Sequence, residues 1–148
     1  MAAKRFAVYD SQAVQLIIAG IPVTEGRDKS TFLKFTPDSP NWGTVQDTNA
    51  LVTRFRTNNR LWTMEVSLHQ SSVHHDQFSA LFGADALAVD GSGVVPGLIK
   101  DLNGSTLVTI SQMWVEKQPD AEWGEEVKTW TWTWKCVSDA SVVIYGGN

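Results

Sequence analysis

The sequence predicts a mainly β fold, an antiparallel β-sandwich or barrel with one short flanking helix. Apolar and polar residues alternate in several segments, turn-forming pairs separate those segments, and a single stretch has the spacing of a helix. The chain has 148 residues, which is the usual size of one domain. We therefore expect residues 1–148 to form a single domain.

The first strand is expected at residues 14–19, where aliphatic and β-branched residues are followed by Gly20 and Pro22. Residues 36–49 (TPDSPNWGTVQDTN) are rich in turn formers and show little periodicity. They predict a long loop or arm without structure of its own. Loops of this length are uncommon in compact domains and usually contact something else.

Residues 51–68 predict a β-hairpin, because two alternating runs flank Asn58-Asn59, a pair that tolerates the positive φ angles of a type I′ turn. In this register Phe55 would oppose Trp62 on an apolar face. The other face of the hairpin would be polar, and its members would be Arg54, Arg56, Thr63, Glu65 and Ser67.

The helix is expected to run from Val73 through Phe82, capped by Ser71 or Ser72 and ended by Gly83. Its apolar stripe is narrow, so it must pack on a sheet to be stable. Two further hairpins are predicted. One turns at Asn103-Gly104, and the other joins residues 106–118 to 125–137 through the loop PDAEWG.

Composition excludes several classes of protein. The net charge of −4 argues against a surface that holds nucleic-acid backbones tightly. The single Cys136 cannot form an intramolecular disulfide, which favours an intracellular or virion setting. No apolar run approaches the roughly 18 residues of a membrane span, and no signal peptide is recognised. We expect no membrane insertion.

No catalytic, metal or cofactor site is predicted. His74 and His75 are adjacent, whereas a metal clamp on a helix needs histidines four residues apart, so they are interpreted as exposed polar residues at the helix start. The glycine-rich stretch 91–97 has Pro96 where a dinucleotide-binding turn needs its third glycine. The protein is expected not to be an enzyme.

The segment KTWTWTWK at residues 128–135 places Trp130, Trp132 and Trp134 on one face of a strand. Three interpretations are open. The indoles could form a stacking platform for sugars or bases, a core face that meets Trp114 and Ile110, or a surface buried against another copy of the chain. The neighbouring Cys136 is interpreted as a small buried hydrophobe.

The order of these elements is distinctive. A strand with a glycine turn (VQLIIAGIPV), an arm-like loop, an alternating hairpin and a short helix precede a turn containing Asp101, Asn103 and Gly104, and the last strand ends in Gly146-Gly147-Asn148. Over nearly the whole chain this order resembles the tail tube proteins of contractile-tailed bacteriophages, to which type VI secretion tube proteins are similar in plan.

The resemblance implies a structural virion protein without cofactors. Strands of six subunits would complete a ring-shaped barrel, and the rings would stack into a tube for DNA passage into the host. The partners would be the tail sheath protein outside, and the tape-measure protein and double-stranded DNA inside. The protein would be made in the host bacterial cytoplasm and reside in the phage tail.

The resemblance also implies that the loop 36–49 reaches the neighbouring ring. Its contact residues would be Asp38, Asn41, Trp42, Gln46 and Asp47, with Trp42 as the anchor. The polar hairpin face would line the lumen or face the sheath. Because that face carries Arg54 and Arg56, it is less acidic than this plan implies. The arginines would pair with acids of a neighbouring subunit, or the face would point toward the sheath.

Elementary physics fits this plan, because ring closure removes the exposed edge strands of a small sheet. An acidic or neutral lining would also let DNA slide. The alternative function is a carbohydrate-binding β-sandwich module that uses the face of Trp130, Trp132 and Trp134.

Overall fold

An antiparallel sheet dominates the computed structural model, which describes residues 4–148. The described elements, in chain order, are β1 (Val14–Ile18), β2 (Ile21–Pro22), β3 (Leu33–Pro37), β4 (Trp42–Gln46), β5 (Val52–Arg56), β6 (Leu61–His69), α1 (His74–Leu87), β7 (Val95–Asp101), β8 (Leu107–Lys117), β9 (Thr129–Val137) and β10 (Val143–Ile144). The predicted mainly β fold with one helix is confirmed.

The strands of the main sheet lie in the order β2-β1-β7-β8-β9-β6-β3, and β10 pairs with the start of β8. The hairpins predicted at Asn103-Gly104 and at the PDAEWG loop are confirmed, because β7 pairs with β8 and β8 with β9. The first strand is also confirmed, and Ala19 and Gly20 turn the chain with positive φ angles of 55° and 78°.

Strand β8 contains a β-bulge where it pairs with β7. Gly97 and Val95 of β7 pair with Ile110 and Met113, so β8 holds one extra residue. The first part of β8 pairs with β7, and the second part pairs with β9. The buried side chains of these three strands belong to one core. Because the bulge changes the alternation, Met113 faces the core and Trp114 does not. The predicted core position of Trp114 is wrong, and that of Ile110 is confirmed.

The tryptophan strand supplies the centre of this core. Trp132 and Trp134 are 2% and 0% exposed, and Trp130 is partly buried. The Phe78 ring of α1 packs edge-on against both buried indoles, with centroids 5.6 and 5.1 Å away. Cys136 is fully buried, and burial raises the pKa of its thiol to about 12. The core interpretation of this strand is therefore confirmed, and the carbohydrate alternative loses its exposed platform.

The predicted hairpin between residues 51–56 and 61–68 is wrong. β5 pairs with β4 in a separate two-stranded sheet, and β6 lies between β3 and β9. Asn58 does have a positive φ of 53°, but it directs the chain from one sheet into the other. The reason is that β6 finds a longer partner in β9, with nine residue pairs that bury its apolar face.

The helix is longer than predicted and its first turn is buried. It continues through Gly83 to Leu87, although a glycine inside a helix costs about 1 kcal/mol relative to alanine. The Ser72 hydroxyl accepts a hydrogen bond from the His74 N–H at 3.2 Å, although Val73 occupies the cap position. His74 and His75 are 4% and 8% exposed, so the prediction of exposed histidines is wrong.

Hydrogen bonds fix the His75 ring in its neutral form. The indole N–H of Trp132 donates to His75 Nδ1 at 2.9 Å, so the ring proton sits on Nε2 and is donated to the His69 carbonyl oxygen at 2.8 Å. Burial lowers the pKa of His75, against smaller opposing effects of the His69 carbonyl and Asp76. Protonation would place two donors, the indole and Nδ1, against each other.

We expect the stability of the protein to fall in mild acid. In the unfolded chain His75 binds a proton near its ordinary pKa of about 6.5, whereas in the folded protein the pKa of the buried ring is lower. Stability is therefore fully present above this value and is lost as the pH falls below it, by at most about 1.4 kcal/mol per pH unit for one proton. Urea midpoints measured between neutral and mildly acidic pH should fall less for His75→Gln than for the wild type. Equal slopes would contradict this role of His75.

Candidate functional site

The most exposed structured part of the chain is the β4–β5 ribbon, residues 41–57. At its base the Thr57 N–H donates to the Asn41 carbonyl at 2.8 Å. At its tip Asp47 Oδ1 accepts from the backbone N–H groups of Asn49 and Leu51 at 2.9 and 2.8 Å. The prediction that residues 36–49 lack structure of their own is therefore wrong, since these residues form the end of β3 and all of β4.

One face of the ribbon is cationic. Trp42 lies opposite Arg56 and diagonal to Arg54, whose guanidinium carbon is 3.8 Å from the centroid of the Trp42 ring. This cation–π contact orients Arg54 on the exposed strand. Neither arginine forms a salt bridge within residues 4–148. Pairing also places Gln46 and Val52 on this cationic face, near the tip.

The other face of the ribbon is apolar. The Phe55 ring lies over Gly43 and fills the space that a side chain at position 43 would occupy. Val45, Leu51 and Phe55 are all exposed. Since a two-stranded hairpin alone is marginal in water, and exposed apolar patches commonly mark interaction sites, the ribbon has the properties of a docking element.

Gly43→Val is expected to loosen the ribbon without unfolding the domain. A valine side chain would displace the Phe55 ring, while the core of the main sheet is untouched, so the free energy of unfolding should change by less than about 1 kcal/mol. Limited trypsin digestion should cleave after Arg54 and Arg56 faster than in the wild type. Thr44→Val, on the opposite face of the same strand, is the control. Equal cleavage of Gly43→Val and this control would contradict the contact.

The structure separates the residues predicted to share one polar face. Thr63, Glu65 and Ser67 lie on β6, and Arg54 and Arg56 lie on the ribbon. Together with polar residues of β3 and β9, the three β6 residues form what we call the outer face of the main sheet. Its members are Lys34, Thr36, Thr63, Glu65, Ser67, Thr129, Thr131, Thr133 and Lys135.

Hydrogen bonds tie the outer face together. Lys135 Nζ lies 2.6 Å from Asp38 Oδ2 and 3.7 Å from Glu116 Oε2, and the Thr63 hydroxyl donates to Asp38 at 2.6 Å. The hydrogen bond from Lys135 lowers the pKa of Asp38, and that bond raises the pKa of Lys135. Asp38 thus adjoins the outer face, whereas Asn41, Trp42, Gln46 and Asp47 belong to the ribbon and its tip.

Sequence reasoning missed the ribbon, although one local signal was present. Asp47 precedes Asn49 in a turn-forming pattern. Within residues 4–148, no group of three or more histidine, cysteine or acidic residues could hold a metal ion. None of the helices described there is long and apolar enough to cross a membrane.

Solved structures share this fold. Over 93% of this chain and 91% of the other, it is similar to the cap that terminates the tube of the anti-feeding prophage, with a TM-score of 0.55 and 9% identity. It is also similar to a chain of the sheath-tube complex of an extracellular contractile injection system, PVC, in its extended state, with a TM-score of 0.53, 7% identity and 86% of each chain covered. The fold is therefore one that occurs in contractile injection systems. No family model and no curated protein matches the sequence.

Proposed function

We propose that the protein is a structural subunit of a contractile tail and forms the tail tube of a bacteriophage. In this proposal six copies close into a ring, the rings stack, and the tube guides double-stranded DNA into the host. The observation that carries the proposal is the fold shared along nearly the whole chain with a prophage tube cap. The exposed ribbon and the open sheet edges support it independently.

The sheet edges favour ring closure. One side of β3 pairs with β6, and no strand within residues 4–148 covers its other side. At the far edge, β2 covers only Ile17 and Ile18 of β1. Exposed edges invite pairing with another chain, and a head-to-tail ring satisfies both edges at once. The β3 edge of each copy would then join the β1–β2 edge of the next, so that six sheets form one barrel.

The outer face is suited to line the channel. It consists mainly of hydroxyl side chains, and two lysines, Lys34 and Lys135, are balanced by Glu65 and the adjoining Asp38 and Glu116. Because tight binding of DNA requires clustered cations that displace counterions, a neutral hydroxyl surface lets the duplex move. Arg54 and Arg56 are residues of the ribbon and are not members of this face. The tape-measure protein would occupy the same channel, and the sheath protein would bind outside.

Electron microscopy of the purified full chain in negative stain tests the proposal. We expect six-fold rings and, at high protein concentration, stacks of rings with a central channel. The matched variant is Leu33→Pro, which removes a backbone donor that points away from β6 on the edge strand β3, whereas the N–H groups of Lys34 and Thr36 face β6. It should form fewer rings than Leu33→Ala. A monodisperse monomer at every protein concentration would contradict the proposal.

A further inference from the structure

We propose that the cationic face of the ribbon docks into an acidic hollow on the next copy of the chain, where Arg54 and Arg56 meet Asp120 and Glu122. This inference rests on the proposed function, because it assigns the contact that stacks one subunit on another.

The hollow lies beside the loop between β8 and β9. Its volume is about 320 Å³, and its lining residues are Lys117, Gln118, Asp120, Glu122, Thr129, Thr131 and Thr133. Two carboxylates and three hydroxyl groups offer many acceptors for the N–H groups of a guanidinium. Lys117 is the one cation of this lining. Asp120 and Glu122 form no salt bridge within the described range 4–148.

The loop that carries these carboxylates is acidic and held in place. Residues 118–127 contain Asp120, Glu122, Glu125 and Glu126 and no lysine or arginine. The Trp130 indole N–H donates to the Glu122 carbonyl at 3.4 Å, and Trp123 packs edge-on against Trp130 with centroids 5.5 Å apart. Trp123 itself is 74% exposed. Two of the four carboxylates, Asp120 and Glu122, line the hollow and give it a charge opposite to that of the arginines on the ribbon.

The ribbon and the acidic loop lie at opposite ends of the same strands, and the hollow extends from that loop along β9 to Thr133. The ribbon leaves the sheet next to the pair Trp62 and Cys136, and the acidic loop enters β9 at the pair His69 and Thr129. Across the nine residues of β6 these ends are about 26 Å apart. A contact between opposite ends of identical chains is head-to-tail, and it continues from copy to copy as an open stack. This geometry favours a second copy as the occupant of the hollow.

Charge reversal tests the contact. Asp120→Arg with Glu122→Arg, and separately Arg54→Glu with Arg56→Glu, should each raise the protein concentration needed for stacking by at least about tenfold, because like charges would face each other. A chain with all four substitutions should stack again, because the new glutamates at positions 54 and 56 of one copy would face the new arginines at positions 120 and 122 of the next copy. The matched control is Glu125→Arg with Glu126→Arg, the same change of charge in the same loop but outside the hollow; it should stack like the wild type.

The charge-reversal results distinguish failure of this contact from failure of the proposed function. Stacking of Asp120→Arg with Glu122→Arg at the wild-type concentration, or a fourfold variant as deficient as the separate pairs, would overturn it. If the wild type stacks but all charge variants also stack, the tube function stands and this contact is wrong. If the wild type forms no rings or stacks, the proposed function and this inference both fail. If another protein occupies the hollow in assembled tails, the inference is also wrong.

A covalent test does not depend on reversed charges. Mixing Arg56→Cys protein with Asp120→Cys protein under oxidising conditions should give a disulfide-linked dimer, and Glu126→Cys should give much less. Cys136 should not compete, because it is fully buried and its pKa is raised to about 12. Equal cross-linking of Asp120→Cys and Glu126→Cys would overturn the assigned contact.

Discussion

Replacing residues 41–58 with a short glycine–serine linker is expected to give a folded subunit that forms no stacks. The ribbon lies outside the main sheet, and its removal leaves the buried core intact. The new connection can be short, because the Asn59 side chain already lies 3.1 Å from the Ser39 carbonyl oxygen. Shortening the loop lowers its closure cost by about 1–2 kcal/mol, so stability should be equal or slightly higher.

Urea unfolding and negative-stain microscopy measure the two halves of this prediction. The urea midpoint should be at or above the wild-type value, while single rings replace stacks. The control is Thr48→Ala, an exposed substitution at the tip of the ribbon that should change neither property. Stacks of normal length without the ribbon would show that stacking uses another surface. An unfolded deletion variant would show that the ribbon belongs to the folding unit.

Trp134→Ala is expected to cost about 3–5 kcal/mol of unfolding free energy. Its side chain is fully buried between the sheet and the Phe78 ring of α1, so truncation leaves a cavity that the surrounding residues cannot fill. Such a loss is a large part of the 5–15 kcal/mol that stabilises a typical domain. Guanidinium unfolding measures it, and the variant should also form fewer rings because fewer subunits are folded.

Two other substitutions distinguish the causes of this loss. Trp134→Phe should cost less, because a phenyl ring fills part of the cavity and removes Nε1, a buried N–H without a hydrogen-bond partner among the described residues. Trp123→Ala removes an indole that is 74% exposed and should cost less than about 1 kcal/mol. If Trp134→Ala costs no more than Trp123→Ala, the tryptophan strand is not the centre of the core.

The parts of the fold predicted correctly are those set by local signals. Gly20 marks the turn after β1, Asn103-Gly104 marks the turn between β7 and β8, and the alternation of three tryptophans marks the buried face of β9. Each of these signals lies in neighbouring residues. The pairing of adjacent strands and the side that is buried follow from them directly.

The parts predicted wrongly depend on distant partners. Residues 52–56 alternate equally well as a partner of β6 or of β4, and the pairing is decided by β9, which begins 60 residues after the end of β6. The residues predicted to form one polar face are separated for this reason, because Arg54 pairs with a residue of β4 and Thr63 pairs with a residue of β9. His75 was misjudged because its burial depends on Trp132, which lies in a distant strand.

Closure of the ring through the sheet edges is tested by a cryo-electron microscopy reconstruction of the assembled protein. We expect six subunits in each ring, with the free edge of β3 in every copy hydrogen-bonded to the β1–β2 edge of its neighbour. Particles that remain single, or rings whose β3 edges face solvent, would contradict it.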